Sequence, residues 1–144
     1  MPSKRETVLG AVKALVADAL PGAEVKRNLA KPERIPPGGL VVIRDGDPGE
    51  PDVTLSPVSY LYTHRITVEI AAFESATLTR EQVLDEMLAA IGAAIIANRR
   101  LGGLVDWVEA EAPTSEDIET TGSQAGRFAD FVIVATYATA DSLN

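Results

Sequence analysis

Ser59-Tyr60-Leu61-Tyr62-Thr63-His64-Arg65-Ile66-Thr67-Val68-Glu69-Ile70-Ala71-Ala72-Phe73 is the stretch that decides the fold. Tyr60, Tyr62, His64, Ile66, Val68 and Ile70 fall at every second position, and Thr63, Arg65, Thr67 and Glu69 fill the places between them. Successive side chains of a strand point to opposite faces, so this alternation predicts one long strand with an apolar and a polar side. At about 3.3 Å per residue the stretch would span roughly 45–50 Å, longer than a small domain uses. Part of it is therefore expected to leave the core as a projecting hairpin arm, over about residues 44–62.

Outward from this strand, two helices stand out. Ser3 and Glu6 form a capping-box pair, and Val8, Val12, Leu15, Val16 and Ala19 follow at helical spacing until Pro21-Gly22. Thr79-Arg80-Glu81-Gln82 is a second capping box, before an alanine-rich apolar run of Val83, Leu84, Met87, Leu88, Ile91 and Ile95. That helix is expected to end near Arg99-Arg100, where positive charge suits a C-terminus, with Gly102-Gly103 as the stop. Shorter strands are expected at 23–29, at Leu40–Ile43, at Leu104–Ala110 around Trp107, and at Arg127–Tyr137. Pro32, Pro36 and Pro37 mark 30–38 as a loop. Asp45–Pro51 reads as a turn-rich loop and 112–126 as a polar connection, the acidic loop being placed at about 111–126. Strands in neighbouring runs, not alternating βαβ units, predict an α+β fold in one domain over 1–144. Its layout is a largely antiparallel β-sheet with two α-helices packed on one face, plus the β-hairpin arm.

The chain has 144 residues, no cysteine and a net charge of −8. A chain of this length can bury a core without disulfides or metals. The absence of cysteine excludes disulfides, cysteine-ligated zinc, iron–sulfur clusters and a thiol nucleophile. Its opening residues lead into an amphipathic helix, not an apolar signal core, and no apolar run reaches membrane-spanning length, so the cytoplasm is the expected compartment and no membrane partner is expected. Residues 1–72 hold nine basic and nine acidic side chains, against four and twelve in 73–144. The excess negative charge in the second half disfavours general binding to a phosphate backbone. Lys26, Arg27, Lys31 and Arg34 are the one local basic cluster, read as a solvated strand and loop.

A search for chemistry returns little. His64 is the only histidine; on an apolar strand face it reads as a buried, hydrogen-bonded ring, and no Gly-x-Ser-x-Gly elbow accompanies it. Asp45–Asp52 is oxygen-rich but lacks the glycine at the sixth and the glutamate at the twelfth position of a calcium loop. Asp52 and Glu69 could open a nuclease pattern, but Ala71 stands where its lysine would be. Neither Gly38-Gly39 nor Gly102-Gly103 leads into a helix, as a phosphate cradle requires. No catalytic residue, cofactor or metal is assigned, and the expectation is a protein that is not an enzyme.

Taken together, the chain resembles the tail-terminator (tail-completion) proteins of long-tailed bacteriophages and phage-like gene-transfer particles. The likeness runs through the opening helix Glu6–Leu20, a proline-rich link to the hairpin Leu40–Val58 and the long strand Tyr60–Phe73. It continues through the alanine-rich helix Val83–Asn98 and a closing strand pair, Leu104–Ala110 and Phe128–Tyr137, separated by a long acidic loop. The resemblance implies a homo-oligomeric ring, a hexamer on the tail, that adds to a finished tail tube, stops its growth and offers a surface for the head or neck. The implied partners are the tail tube protein and a head or neck connector, with DNA passing through unbound. The implied location is the bacterial host's cytoplasm during assembly and then the particle's tail. A head–tail joining or neck component and a small non-catalytic ligand-binding domain are the alternatives.

Within a ring, Arg27, Arg44, Val53, Leu55, Val58, Tyr60, Leu61 and Arg65 are the candidates for contacts with a neighbouring subunit or the tube. The segment Asp106–Glu119 contains no basic residue. Repeated around an axis, its acids would concentrate negative potential that keeps DNA from adhering. Glu109, Glu111, Glu116, Asp117 and Glu119 are accordingly the candidates to face the lumen.

Overall fold

The computed structural model describes residues 1–30, 36–118 and 126–144. Lys31, Arg34 and Glu119 lie outside them, as do the side chains of Glu116 and Asp117. The long alternating stretch is a single strand, β4 (Ser59–Ala72), preceded by β1 (Glu24–Arg27), β2 (Leu40–Asp47) and β3 (Asp52–Thr54). After it come β5 (Trp107–Ala110), β6 (Thr114–Ile118) and β7 (Gly126–Thr139), with helix α1 (Lys4–Ala19) at the start and α2 (Arg80–Ala97) between β4 and β5. The strands form one sheet in the order β1-β2-β4-β7-β5, with β3 beside β4 and β6 beside β7. Among the described residues only the β1–β2 pairing is parallel, so the fold is α+β with a largely antiparallel sheet.

The centre is the β4–β7 ladder, which runs from Tyr60 opposite Thr139 to Ala72 opposite Arg127. Tyr62, His64, Ile66, Val68 and Ile70 of β4 are buried, as are Phe131, Ile133, Ala135 and Tyr137 of β7. Both strands turn this face to the helices. Val8, Leu9, Val12 and Val16 supply the buried stripe of α1, and Leu84, Met87, Ile91 and Ile95 that of α2. Spacings of three and four place such residues on one side of a helix. All of these side chains except His64 belong to one hydrophobic cluster.

Both helices start at the caps read from the sequence, but only α2 closes a reciprocal box, because the Glu6 carboxylate of α1 turns to Arg27 instead. Ser3 Oγ accepts from the Glu6 amide at 3.1 Å. At α2, Thr79 Oγ1 accepts from the Gln82 amide at 3.2 Å while Gln82 Oε1 accepts from the Thr79 amide at 3.0 Å. This reciprocal box satisfies two of the orphan donors of the first turn. Thr79→Ala should lower stability by about 1 kcal/mol in urea denaturation, with no change in fold.

Four boundaries differ from the sequence reading. First, α2 stops at Ala97, with Asn98 as its cap, so Arg99 and Arg100 lie beyond the helix. Arg99 instead donates to the Val108 carbonyl at 2.9 Å and stacks 4.8 Å over the Trp107 ring. Second, β5 begins only at Trp107, because a short 3₁₀ turn occupies Leu101–Gly103. Third, β2 continues through Asp45-Gly46-Asp47, where a bulge between Arg44 and Asp47 takes up the extra residue. Turn-forming residues there serve an irregular strand, since a bulge uses the same left-handed glycine as a turn. Fourth, the polar connection contains β6, which pairs Thr114–Ile118 against Asp130–Gly126. Backbone pairing with an existing strand needs no apolar side chains, so composition gave no sign of it.

Candidate functional site

β2 and β3 together form one leg of a hairpin whose other leg is β4. Asp47 lies opposite Arg65, Asp52 opposite Leu61 and Thr54 opposite Ser59, and the chain reverses over residues 55–58. The far end of this hairpin carries apolar side chains that the core does not use. Val53 is 52% exposed, Leu55 77% and Val58 45%. Tyr60 and Leu61 are half-buried, and Tyr60 packs against the core cluster. An isolated exposed leucine is unremarkable, but several within one short turn mark a contact surface. Every ionisable side chain from residue 45 to residue 63 is acidic or a tyrosine.

The three arginines expected at contacts are engaged within the chain. Arg27 bridges Glu6 on α1, at 2.5 Å, and Asp45 on β2, at 2.6 Å. These bonds lower the pKa of both carboxyls, the Arg27 hydrogen bond being the leading cause in each, and raise that of the guanidinium. Arg44 reaches Glu69 at 3.1 Å and also donates to the Leu29 carbonyl. Arg65 makes two hydrogen bonds to Glu111, at 2.7 and 2.5 Å. β7 runs between them: Arg65 lies opposite Val134, and the Glu111 amide donates to the Val132 carbonyl. The pair thus spans β7 on the sheet face away from the helices, and it places a candidate contact residue and a candidate lumen acid on one surface.

The other acids divide. Glu109 is exposed on β5 and accepts from Trp107 Nε1 at 3.1 Å. Glu116 and Asp117 are on β6, which pairs with the β7 edge that β5 also uses.

His64 is fully buried and bonded at both ring nitrogens, with Nε2 2.6 Å from the Asp45 carbonyl oxygen and Nδ1 2.9 Å from Tyr137 Oη. A carbonyl can only accept, so Nε2 carries the proton and Nδ1 accepts from the tyrosine hydroxyl. Burial lowers the pKa of the ring and so favours its neutral form. With both nitrogens occupied and no solvent access, this histidine ties β4 to β2 and β7. Among the described residues no group of three or more acidic, histidine or cysteine side chains is placed to hold a metal ion. None of their helices is long and apolar enough to cross a membrane.

The surface feature that sequence reasoning missed lies at the opposite sheet edge. Ile96, on α2, is 68% exposed and Trp107, on β5, is 47% exposed. Ile96, Arg99 and Glu109 line a shallow hollow of about 330 Å³ together with Gly92, Ile95 and Ala110. The helical and strand periodicities were each visible, but only the tertiary fold sets Trp107 under Arg99, three residues after Ile96. No protein-family model matches the chain, and no curated protein matches it significantly.

Proposed function

We propose that this chain is a structural assembly subunit that caps the end of a phage-like tail tube as a ring, stops tube polymerisation and provides the surface for head or neck joining. The observation that carries the reading is the hairpin of β3 and β4. Val53, Leu55 and Val58 are held out of the core on a paired two-stranded support. A subunit that must grip a neighbour or a tube needs such an arm beside an independent core. The ion pairs of Arg27, Arg44 and Arg65 suit the same role by fixing the hairpin's base to α1, β1 and the far side of the sheet. Glu111, which Arg65 holds on the sheet face away from the helices, is with Glu116 and Asp117 among the acids this reading assigns to the lumen.

The test is tail length in the particle that encodes the chain. Removing the chain should give tubes of irregular, excess length that fail to join heads, and the wild-type chain supplied in trans should restore uniform tails. Uniform, head-bearing tails in its absence would overturn the reading.

A further inference from the structure

The hairpin of β3 and β4 has two unlike faces. Directly opposed residues of an antiparallel pair point to the same side of a sheet, and successive residues point to opposite sides. Val53 lies opposite Tyr60, which packs against the core cluster, so both point to the helix side. Asp52 lies opposite Leu61 and therefore points to the other side, where Arg65 pairs with Glu111. Val53 stays exposed all the same, and Leu55 and Val58 carry the apolar surface around the turn. One tip thus joins an apolar face to an acidic one.

The acids are not neutralised within the chain. Asp47, Glu50 and Asp52 are exposed and take part in no ion pair among the described residues. Asp47 lies opposite Arg65, but that guanidinium is bonded to Glu111, and Arg27 at the hairpin's base holds Glu6 and Asp45. The excess negative charge repels the phosphates of nucleic acids and of anionic lipids. It equally opposes the pairing of two such tips. Its complement is a protein surface with lysines or arginines around an apolar recess. The arm is also held firmly, since the Asp45 carboxylate is bonded to Arg27 and its carbonyl accepts from His64. A pre-organised arm loses little freedom on docking.

We propose that the hairpin tip is a plug for a basic-rimmed apolar recess on a different protein. Val53, Leu55 and Val58 fill the recess, and Glu50 and Asp52 meet the lysines or arginines of its rim. The inference rests on the capping reading for the identity of that protein, whose recess is then presented by the exposed end of the tail tube. What it adds is the division of labour within the contact. Apolar anchors buried at the centre of an interface supply most of its affinity, whereas charges at the rim govern encounter rate and salt dependence.

The test uses the full chain and tubes isolated from particles made without it. Two double variants change only exposed residues: Val53→Ser with Leu55→Ser removes the anchor, and Glu50→Lys with Asp52→Lys reverses the rim charge. The wild type should co-sediment with these tubes, and raising salt from about 50 to about 500 mM should weaken its binding. The serine variant should bind at least about tenfold more weakly. The lysine variant should bind weakly at low salt and lose the wild type's salt dependence. Circular dichroism should be unchanged in both. Wild-type tube binding by either variant, or salt-independent binding by the wild type, would overturn the proposal. So would self-association of the wild type, or its attachment to zwitterionic lipid vesicles, that the serine variant loses, since the occupant would then be a second copy or a membrane. A chain that sets tail length without binding tubes through this tip would keep the capping role and remove the plug. A tip that binds tubes with no effect of the chain on tail length would keep the plug and remove the capping role.

Discussion

Replacing His64 by alanine should destabilise the protein by about 3–5 kcal/mol, the range expected when a large buried side chain is removed and its polar partners lose their bonds. The ring is fully buried, and its loss would strand the Asp45 carbonyl and the Tyr137 hydroxyl. A second consequence concerns pH. Burial lowers the native pKa from the ordinary 6.5; Arg5 acts in the same direction, while the Asp45 carbonyl and the Asp45 and Asp47 carboxylates oppose it. Below pH 6.5 the unfolded chain therefore binds a proton that the native ring refuses. Stability is full above that value and declines as pH falls towards the native pKa, by up to about 1.4 kcal/mol per pH unit. His64→Gln, which does not titrate, should flatten the curve between pH 7 and pH 5 in urea denaturation. The Asp45 and Glu6 carboxyls enter only at lower pH, since Arg27 holds both below their ordinary 3.8 and 4.5. An equal slope in the glutamine variant would assign the effect to another group.

Gly46→Val should be comparably damaging. Gly46 sits at the β2 bulge with φ of +66°, and a Cβ there would come within 2.1 Å of the Arg65 carbonyl oxygen. Backbone strain alone costs roughly 1–2 kcal/mol for a residue with a side chain in the left-handed region. The collision is with the neighbouring strand's main chain, so it can be relieved only by parting β2 from β4, and the total should exceed about 3 kcal/mol. Gly49 gives the control. Its φ is +74°, yet a Cβ would meet nothing within 4 Å. Gly49→Ala should thus show the strain without the collision, losing only roughly 1–2 kcal/mol. Thermal melts of the two variants separate the terms, and similar losses for both would remove the packing argument.

The features legible in the sequence were those with strict periodicity. β4 was readable almost to the residue because its alternation holds from Tyr60 to Ile70 over an uninterrupted run. Both helices were readable because side-chain caps mark their starts. β6 was not, because its pairing with β7 is a backbone matter that Thr114, Ser115 and their acidic neighbours do not advertise. The extension of β2 was hidden because Asp45-Gly46-Asp47 has the composition of a turn while its φ angles serve a bulge. At the candidate site, Val53, Leu55 and Val58 could be picked out because they are apolar within a polar, turn-rich segment. The arginines could not be assigned from sequence. Their partners lie 18 to 46 positions away, for Arg27 with Asp45 and Arg65 with Glu111, and only the sheet register makes them neighbours.

The central ladder also governs the order in which the chain can assemble as it is made. β4 is complete by Ala72, but its partner β7 begins at Gly126. During synthesis the β2–β4 hairpin and α2 emerge while one whole side of β4, thirteen paired positions in the finished fold, has no strand beside it. An open edge of that length invites pairing with another nascent copy, and slow non-local closure prolongs the interval. Arg65 and Glu69 alternate with apolar residues along this edge, and charge on an exposed strand is what discourages such premature pairing. Arg65, which braces the finished sheet only once Glu111 has been made, thus stands first as a guard on an unfinished one.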